Sequence, residues 1–450
     1  MSLSLILTVP RDRVQVPEHR FQEVILTPPH RLAHALNHSQ HDVLLILEPD
    51  VHLSDAGLQR FLQTPGLWLY SDYEENTQRH RLLPDLGDIT ERFRLGPVQL
   101  IRRETLHRLG GARPWRFATL YDLRLRLLEQ GLRLTHIPEP LYRKVLHEDP
   151  LKRMVKSDSF AYLFYSPEAD REYETVFKQW LRRQGAFLDG TYEPLPDDRH
   201  LYPLTVSVII PVKDRQEYIG SAIESVLQGT FQDFEVIVVD AGSTDRTPEI
   251  VKAWAQRDPR VRYLWKPPGN IAQALNFGLR HARGRYIAQL DSDDFYEPET
   301  LQTMVAYMDA HPHVGLAISY YRVTDPEGNP LPLDPIKHLE YDRNNILRVD
   351  GAGALRFFRH SVFRILGPYN ETQFGDYAED YDMVLRISER FRIGRVHRVL
   401  YNYRRHEGST DATRNLVDKA VKKTTIRKVA LQRRRLRNQT LQMARGLISP

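Results

Sequence analysis

The sequence predicts an α/β protein with a mostly parallel sheet, and two observations support this. From Leu204 to about Leu400, short runs rich in β-branched residues alternate with amphipathic stretches of helix length, the pattern of consecutive strand–helix–strand units. The composition, 450 residues with 41% hydrophobic and 27% charged side chains, is that of a folded chain. Such a length allows about two or three domains of roughly 150 residues. Wholesale disorder is therefore excluded.

The elements of this region follow in order along the chain. The predicted strands are Thr205–Ile210, Glu235–Val239, Arg262–Trp265, Tyr286–Leu290 and Val314–Tyr320. The predicted helices are Tyr218–Gln228, Thr247–Gln256, Ile271–Ala282 and Glu299–Ala310. Pro248 and Pro298 lie near the starts of two helices, where a missing N–H costs nothing.

The first 150 residues repeat motifs of the second half. Ala35–Asn37, followed by a buried-strand pattern and Glu48–Asp50, parallels Ala274–Asn276 followed by Asp291–Asp293. Later in each half, two further segments correspond, Tyr121–Arg126 and Tyr381–Arg386. This predicts an internal duplication with a shortened first copy.

Four parts of the chain are predicted. They are the shortened copy (1–150), a helix and linker (151–203), the complete copy (204–410) and a basic amphipathic C-terminal helix (411–450).

Several classes of protein are excluded. No apolar run approaches the roughly 18 to 20 residues of a membrane span. Met1–Val9 is predicted to be a strand rather than a signal peptide, so we expect a cytoplasmic protein. The chain has no cysteine, so any metal must be held by oxygen or imidazole ligands.

The C-terminal segment is strongly basic. Residues 411–450 hold eleven Lys or Arg and two acids, within a chain of net charge +5. Two interpretations are open: a helix on the anionic inner face of the plasma membrane, or a helix packed on the preceding domain with a solvated basic face. The segment has no aromatic residue for stacking, so nucleic acid is not expected as a partner.

Carboxylates follow the predicted strands. Asp214 comes just after the first strand, Asp240 ends the second, and Asp291, Asp293 and Asp294 follow the fourth. The carboxyl ends of parallel strands meet at one crevice, where ligands bind. Clustered carboxylates repel one another unless a cation lies among them, and an oxygen cluster suits Mg²⁺ or Mn²⁺.

Three segments, Ser207–Asp245, Asn270–Asp294 and Gly367–Ser409, resemble the successive blocks of family 2 glycosyltransferases. The resemblance implies a Rossmann-like GT-A fold for the catalytic domain. The first half, with Tyr70–Glu75 and Arg182–Gly185, resembles the leading GT-A-like domain of tandem enzymes that build bacterial surface polysaccharides.

The resemblance also implies site residues. The residues implied to bind the nucleotide-sugar donor are Pro211, Lys213, Asp214, Asp240 and Asp291. Those implied to hold the divalent ion, Mn²⁺ or Mg²⁺, are Asp291, Asp293 and His406. Asp380 is implied to be the general base, with Glu379 orienting it or the acceptor. Ala241 departs from the family pattern, which often has a second acid there, so the nucleotide base stays open.

The implied reaction is inverting transfer of a sugar to a glycan or lipid-linked acceptor in cell-surface polysaccharide synthesis. Thr119 and Leu120 match Glu379 and Asp380 in the first copy, so we expect that copy to be non-catalytic and to serve acceptor binding or packing in a homo-oligomer. In the second copy, Glu379, Asp380 and Asp382 could instead only cap a helix.

Two other functions stay open. One is a catalytically inactive GT-A scaffold or sugar-nucleotide sensor. The other is a sugar-nucleotide nucleotidyltransferase, which is disfavoured because Pro211–Asp214 is not a glycine-rich loop.

Overall fold

The computed structural model describes residues 2–8, 13–75, 77–144, 165–190, 192–337, 341–351, 353–409, 413–444 and 446. The chain divides into two compact units, Met1–Phe187 and Leu188–Pro450. The predicted borders at residues 150 and 410 lie outside the described residues.

The first unit is a sheet with helices on both faces. Its strands are β1 Leu3–Leu7, β2 Val14–Gln15, β3 Glu23–Leu26, β4 Val43–Leu47, β5 Val51–Leu53, β6 Trp68–Glu75, β7 Gln78–His80, β8 Val98–Arg102 and β9 Thr135–Lys144. Its helices are α1 Leu32–His38, α2 Asp55–Gln63, α3 Arg103–Leu109, α4 Thr119–Glu129 and α5 Pro167–Arg183.

Alternate residues of the central strands fill two separate cores. Leu44 and Ile46 of β4 join one core, whereas Leu45 and Leu47 join the other. A strand covered on both faces must be apolar at every position, which explains the uninterrupted run Val43–Leu47.

The second unit contains the strand–helix alternation that the sequence predicted. Its strands are β10 Leu204–Val212, β11 Phe234–Asp240, β12 Val261–Trp265, β13 Gly284–Gln289, β14 Phe295–Tyr296, β15 Val314–Thr324, β16 Arg356–Arg359 and β17 Arg392–Arg404. Its helices are α6 Ile219–Leu227, α7 Thr247–Arg257, α8 Ile271–His281, α9 Thr300–Ala310, α10 Ile346–Val349, α11 Ser361–Leu366, α12 Glu379–Arg390 and α13 Leu416–Ala444.

The sheet of this unit has the order β12-β11-β10-β13-β16-β15-β17-β14. The first four strands are mutually parallel, β16 is antiparallel to both of its neighbours, and β15 and β17 are parallel to each other. The predicted α/β class with a mostly parallel sheet is therefore confirmed.

The two sheets share one pairing scheme. The order β3-β1-β4-β8-β6-β9-β5 of the first unit matches β11-β10-β13-β16-β15-β17-β14 of the second, with the same parallel and antiparallel steps. The first unit has no described counterpart of β12 on this edge.

Side chains repeat with the strands. Asn37 donates from Nδ2 to the Ala112 carbonyl at 2.8 Å and accepts from the Ala112 N–H at 2.8 Å. Asn276 forms the same pair of bonds with Tyr369, at 3.0 and 2.9 Å. We call this two-bond contact the asparagine clasp. It joins corresponding helices, α1 and α8, to corresponding turns.

The C-terminal helix α13 packs on the second unit through one face. Ile426, Ala430 and Leu431 are buried there, and the fully buried guanidinium of Arg434 donates to the Arg343 carbonyl at 2.7 Å. Arg433 pairs with Glu389 at 2.9 Å. These contacts favour the packed-helix interpretation over the membrane-surface interpretation, because basic side chains are turned toward acids and carbonyls of the domain.

None of the described helices combines the length and apolarity that crossing a bilayer requires.

Ile426 and Leu436 provide a matched test of the packing of α13. Ile426 is fully buried and Leu436 is 63% exposed on the same helix. Ile426→Ala should lower the free energy of unfolding by about 2–5 kcal/mol, since it leaves a cavity. Leu436→Ala should change it by less than about 0.5 kcal/mol. Urea denaturation of both variants measures this, and equal small effects would contradict the packed helix.

Candidate active site

The topology of the second unit creates a crevice at the carboxyl ends of its parallel strands. The chain runs from β10 to β11 and β12 on one side, and β13 then pairs with the other side of β10. Ligands bind at such a switch point in open α/β sheets.

Asp214 and Asp240 organise the β10 and β11 ends of this crevice. Asp240 is 1% exposed and accepts from the Ser243 N–H at 2.8 Å and from the Tyr263 hydroxyl at 2.7 Å. Asp214, at a left-handed φ of 51°, accepts from the Thr244 N–H at 2.7 Å. The two predicted donor residues therefore shape one turn, residues 241–245.

Tyr263 was not singled out by the sequence. Burial and its bond to Asp240 raise the pKa of Tyr263 above its ordinary value, so it stays a hydrogen-bond donor. The strand prediction included this residue, and only the pairing of β11 with β12 brings it to Asp240.

The loop after β10 holds the other predicted donor residues. Pro211 is buried within β10, whereas the Lys213 side chain is exposed. Arg215, which the sequence analysis did not assign, lies 3.5 Å from Asp293 and donates to the Gly408 carbonyl at 3.0 Å. The loop thus reaches both the acidic turn after β13 and the segment after β17.

Asp293 and His406 meet, although 113 residues separate them. Their Oδ2 and Nε2 atoms are 2.9 Å apart, and the His406 ring packs on Tyr218 with centroids 4.7 Å apart. Burial opposes ionisation of Asp293, but the bond to His406 and the charge of Arg215 hold its pKa below the ordinary value.

Asp291 and Asp294 have different surroundings. Burial, together with the charges of Asp293 and Asp380, raises the pKa of Asp291 to about 6. Asp294 accepts from the Tyr401 hydroxyl and the Arg404 N–H, both at 2.7 Å, so it anchors β17. Among the described residues, no three His, Asp or Glu side chains form a ready-made metal site.

Glu379 and Asp380 begin α12, directly after Ala378 in a left-handed conformation with φ of 60°. Burial and the neighbouring Asp380 raise the pKa of Glu379 well above its ordinary value. Asp380 accepts from the Tyr381 N–H at 2.6 Å and forms an ion pair with Arg356. The two acids therefore differ: burial and Asp380 disfavour the charged form of Glu379, whereas Asp380 faces a cation.

Arg356 is the main residue that sequence reasoning missed. Its side chain is 12% exposed, and its Nε has no hydrogen-bond partner among the described residues. Strand β16 has only four residues, which is too short for hydrophobic periodicity to reveal it.

Asp382 has a structural environment. It is 2% exposed and lies 3.0 Å from Arg433 of α13 and 3.9 Å from Arg386 one turn along α12. In the first unit, Asp122 pairs with Arg126 in the corresponding positions, at 2.9 Å. This acid therefore helps to hold the helix in both units.

The corresponding crevice of the first unit has other chemistry. Asp50, the counterpart of the acids after β13, is held by Arg13, whose Nε donates to its Oδ1 at 3.0 Å. Thr119 and Leu120 begin α4, where Glu379 and Asp380 begin α12.

Three features define a polar ligand crevice of the nucleotide-binding α/β type. They are the acids at the switch point of a parallel sheet, a carboxylate–imidazole pair, and a helix whose first two residues are acids. The family model "Glycosyl transferase family 2" matches residues 207–367. This part of the chain is similar to a family 2 glycosyltransferase domain. The matched region includes Asp214, Asp240, Asp291 and Asp293 and ends before Glu379.

Curated relatives agree with this assignment. Chondroitin synthase of Pasteurella multocida (strain Pm70) is 29% identical over 273 residues, covering 60% of this chain and 28% of the relative. Hyaluronan synthase of Pasteurella multocida is 29% identical over 244 residues, covering 54% of this chain and 25% of the relative. The chain thus spans about a quarter of these relatives' length.

A solved structure, S. aureus TarS 1–349 in complex with UDP-GlcNAc, is also similar. It has 22% identity and a TM-score of 0.40, and the match covers 47% of this chain and 62% of that chain.

Stability separates Asp382 from Asp380. Asp382→Asn should lower the free energy of unfolding by roughly 3 kcal/mol or more. The reason is that a neutral amide compensates the charge of half-buried Arg433 less well than a carboxylate does. Asp380→Asn should cost less, because Asp291 and Glu379 still surround Arg356. Chemical denaturation of the two variants measures the difference, and the reverse order would contradict this division of roles.

Proposed function

We propose that the second unit is the catalytic domain of an inverting, divalent-metal-dependent glycosyltransferase. It would move a sugar from a nucleotide-diphosphate sugar to a glycan or lipid-linked acceptor in cell-surface polysaccharide synthesis. The observation that carries the proposal is the arrangement of Asp291, the Asp293–His406 pair and Asp380 around the crevice of a family 2 domain.

The residues fit a divalent cation. Asp293 and His406 already converge, and buried Asp291 is disfavoured in its charged form partly by Asp293. Mg²⁺ and Mn²⁺ accept such oxygen and imidazole ligands, and Mg²⁺ commonly uses one or two carboxylates plus substrate phosphates. When bound, the ion would neutralise charge on the leaving diphosphate.

Asp380 would act as the general base. As the acceptor oxygen bonds to the anomeric carbon, the bond from that carbon to the diphosphate oxygen breaks, and the acceptor proton passes to Asp380. One displacement of this kind inverts the anomeric configuration. Glu379, whose charged form is disfavoured by burial and by Asp380, would orient Asp380 or the acceptor. A positioned base contributes typically 10²- to 10⁴-fold.

The donor side would be shaped by Asp214 and Asp240. Both carboxylates hold the turn 241–245, and Pro211 and Lys213 border it. Ala241 has no carboxylate for the nucleotide base, so base selection would rest on other groups of this turn.

Other assignments extend the proposal to the whole chain. The domain would comprise residues 204–410, and residues 1–150 would form a non-catalytic unit for acceptor binding or homo-oligomer packing. The Arg13–Asp50 pair supports the non-catalytic assignment of the first unit, because a cation of the same unit already neutralises Asp50. We place the protein in the cytoplasm; contact with the inner leaflet gains no support from the packed face of α13.

The printed names of the relatives, chondroitin synthase and hyaluronan synthase, support a glycan product. An inactive scaffold or a nucleotidyltransferase stays the alternative, and turnover decides between them.

A donor panel tests the function. Purified protein is incubated with UDP-glucose, UDP-N-acetylglucosamine, UDP-glucuronate and GDP-mannose in Mn²⁺, Mg²⁺ or EDTA, and nucleoside diphosphate release is measured. We expect release from at least one donor with metal and none with EDTA. Binding of the same donors without release would favour the sensor alternative, and release of pyrophosphate would favour the nucleotidyltransferase.

Two variants assign the roles. Asp380→Asn should lower kcat by about 10²- to 10⁴-fold with little change in donor affinity. Asp293→Ala should weaken metal-dependent nucleoside diphosphate binding, measured by calorimetry with Mn²⁺. If Asp380→Asn keeps full kcat, Asp380 is not the base.

A further inference from the structure

Arg356 lies on the strand next to the one that leads into the donor-side acids. It is the first residue of β16, paired in register with Gln289 of β13 and with Ile318 of β15. Gln289 is two residues before Asp291. The guanidinium therefore stands beside the turn that carries the donor-side acids.

Carboxyl groups surround this guanidinium. Asp380 forms an ion pair with it, and Asp291 and Glu379 act on it through space. Burial opposes the charged form, but Asp380 and Asp291 raise the pKa of Arg356 above its ordinary value. A buried arginine is retained at such cost only where its partners compensate it.

The base of the proposed reaction is held by this cation. The Asp380 Oδ2 contacts Arg356, and its Oδ1 accepts from the Tyr381 N–H at 2.6 Å. Contacts on both oxygens restrict the side chain to one orientation, which a base aimed at an acceptor hydroxyl requires.

We propose that Arg356 is a positioning residue that holds the Asp380 carboxylate in place and aimed into the crevice. This inference rests on the proposed function. Arg356 acts through Asp380, so its contribution exists only while that carboxylate is present.

The charge of Arg356 also reaches Asp291. There it would compete with a bound divalent ion for the same carboxylate. Removing the guanidinium should therefore lower turnover without weakening metal-dependent donor binding. A residue needed only for folding would lose both together.

The experiment compares Arg356→Met, Arg356→Lys, Asp380→Asn and the double variant Arg356→Met/Asp380→Asn, using the donor with the highest turnover in the panel. Arg356→Met should lower kcat at least about tenfold, with KM for the donor within about threefold. Arg356→Lys should recover part of the loss, because lysine restores the charge but not the planar fork. The double variant should have the kcat of Asp380→Asn within about threefold.

Arg359→Met is the matched control. Arg359 is a buried arginine of the same strand, but its guanidinium donates to the carbonyls of Val314 and Met308. We expect lower stability and unchanged kcat in this variant. Binding of UDP or GDP with Mn²⁺ by calorimetry shows whether each variant retains its crevice.

The outcomes are separable. If the wild-type protein turns over no donor, the proposed function fails, and Arg356 is then assigned no role in it. If the wild-type protein is active and Arg356→Met keeps the wild-type kcat, the role of Arg356 is overturned. It is also overturned if the kcat losses of Arg356→Met and Asp380→Asn multiply in the double variant.

Discussion

Repulsion among buried carboxyl groups is the constraint around which the second unit is built. Asp291, Asp293, Glu379 and Asp380 share one crevice. His406 and Arg215 compensate Asp293, Arg356 compensates Asp380, and the charged form of Glu379 is disfavoured by burial and by Asp380. Burial and the charges of Asp293 and Asp380 raise the pKa of Asp291 to about 6. In the proposed reaction, a divalent ion beside Asp291 and Asp293 would offset this repulsion.

The C-terminal helix extends this balance away from the crevice. Arg433 contacts both Asp382 and Glu389 of α12, so the helix that presents Glu379 and Asp380 is fixed along its length. Arg437 pairs with Glu193, which also pairs with Arg390 at the end of α12. Several basic residues of this segment therefore pair with acids of the domain on which it packs. Charge counts along a sequence cannot reveal this, because they contain no information about which face is covered.

Most strands and helices from Thr205 to Ala310 could be predicted from sequence because each is long enough to show a period. The exception is β14, which has two residues and was not predicted. Strand β16 could not be predicted, since four residues show no period, and Arg356 was missed with it. The acids after strands were located because topology alone brings carboxyl ends together. The Asp293–His406 contact rested on family resemblance, since no local pattern joins residues 113 positions apart. The hydrogen bond from Tyr263 to Asp240 could not be predicted either, because it depends on strand pairing, which periodicity does not fix.

The asparagine clasp is a scaffold contact that recurs in both units. Asn37 and Asn276 make the same two backbone bonds in units whose crevices differ. The two units therefore share this contact without sharing the side chains of the crevice. Introducing acids at Thr119 and Leu120 would not by itself convert the first unit into a catalyst. Arg13 would still hold Asp50, so a gain of activity would first require the loss of a salt bridge.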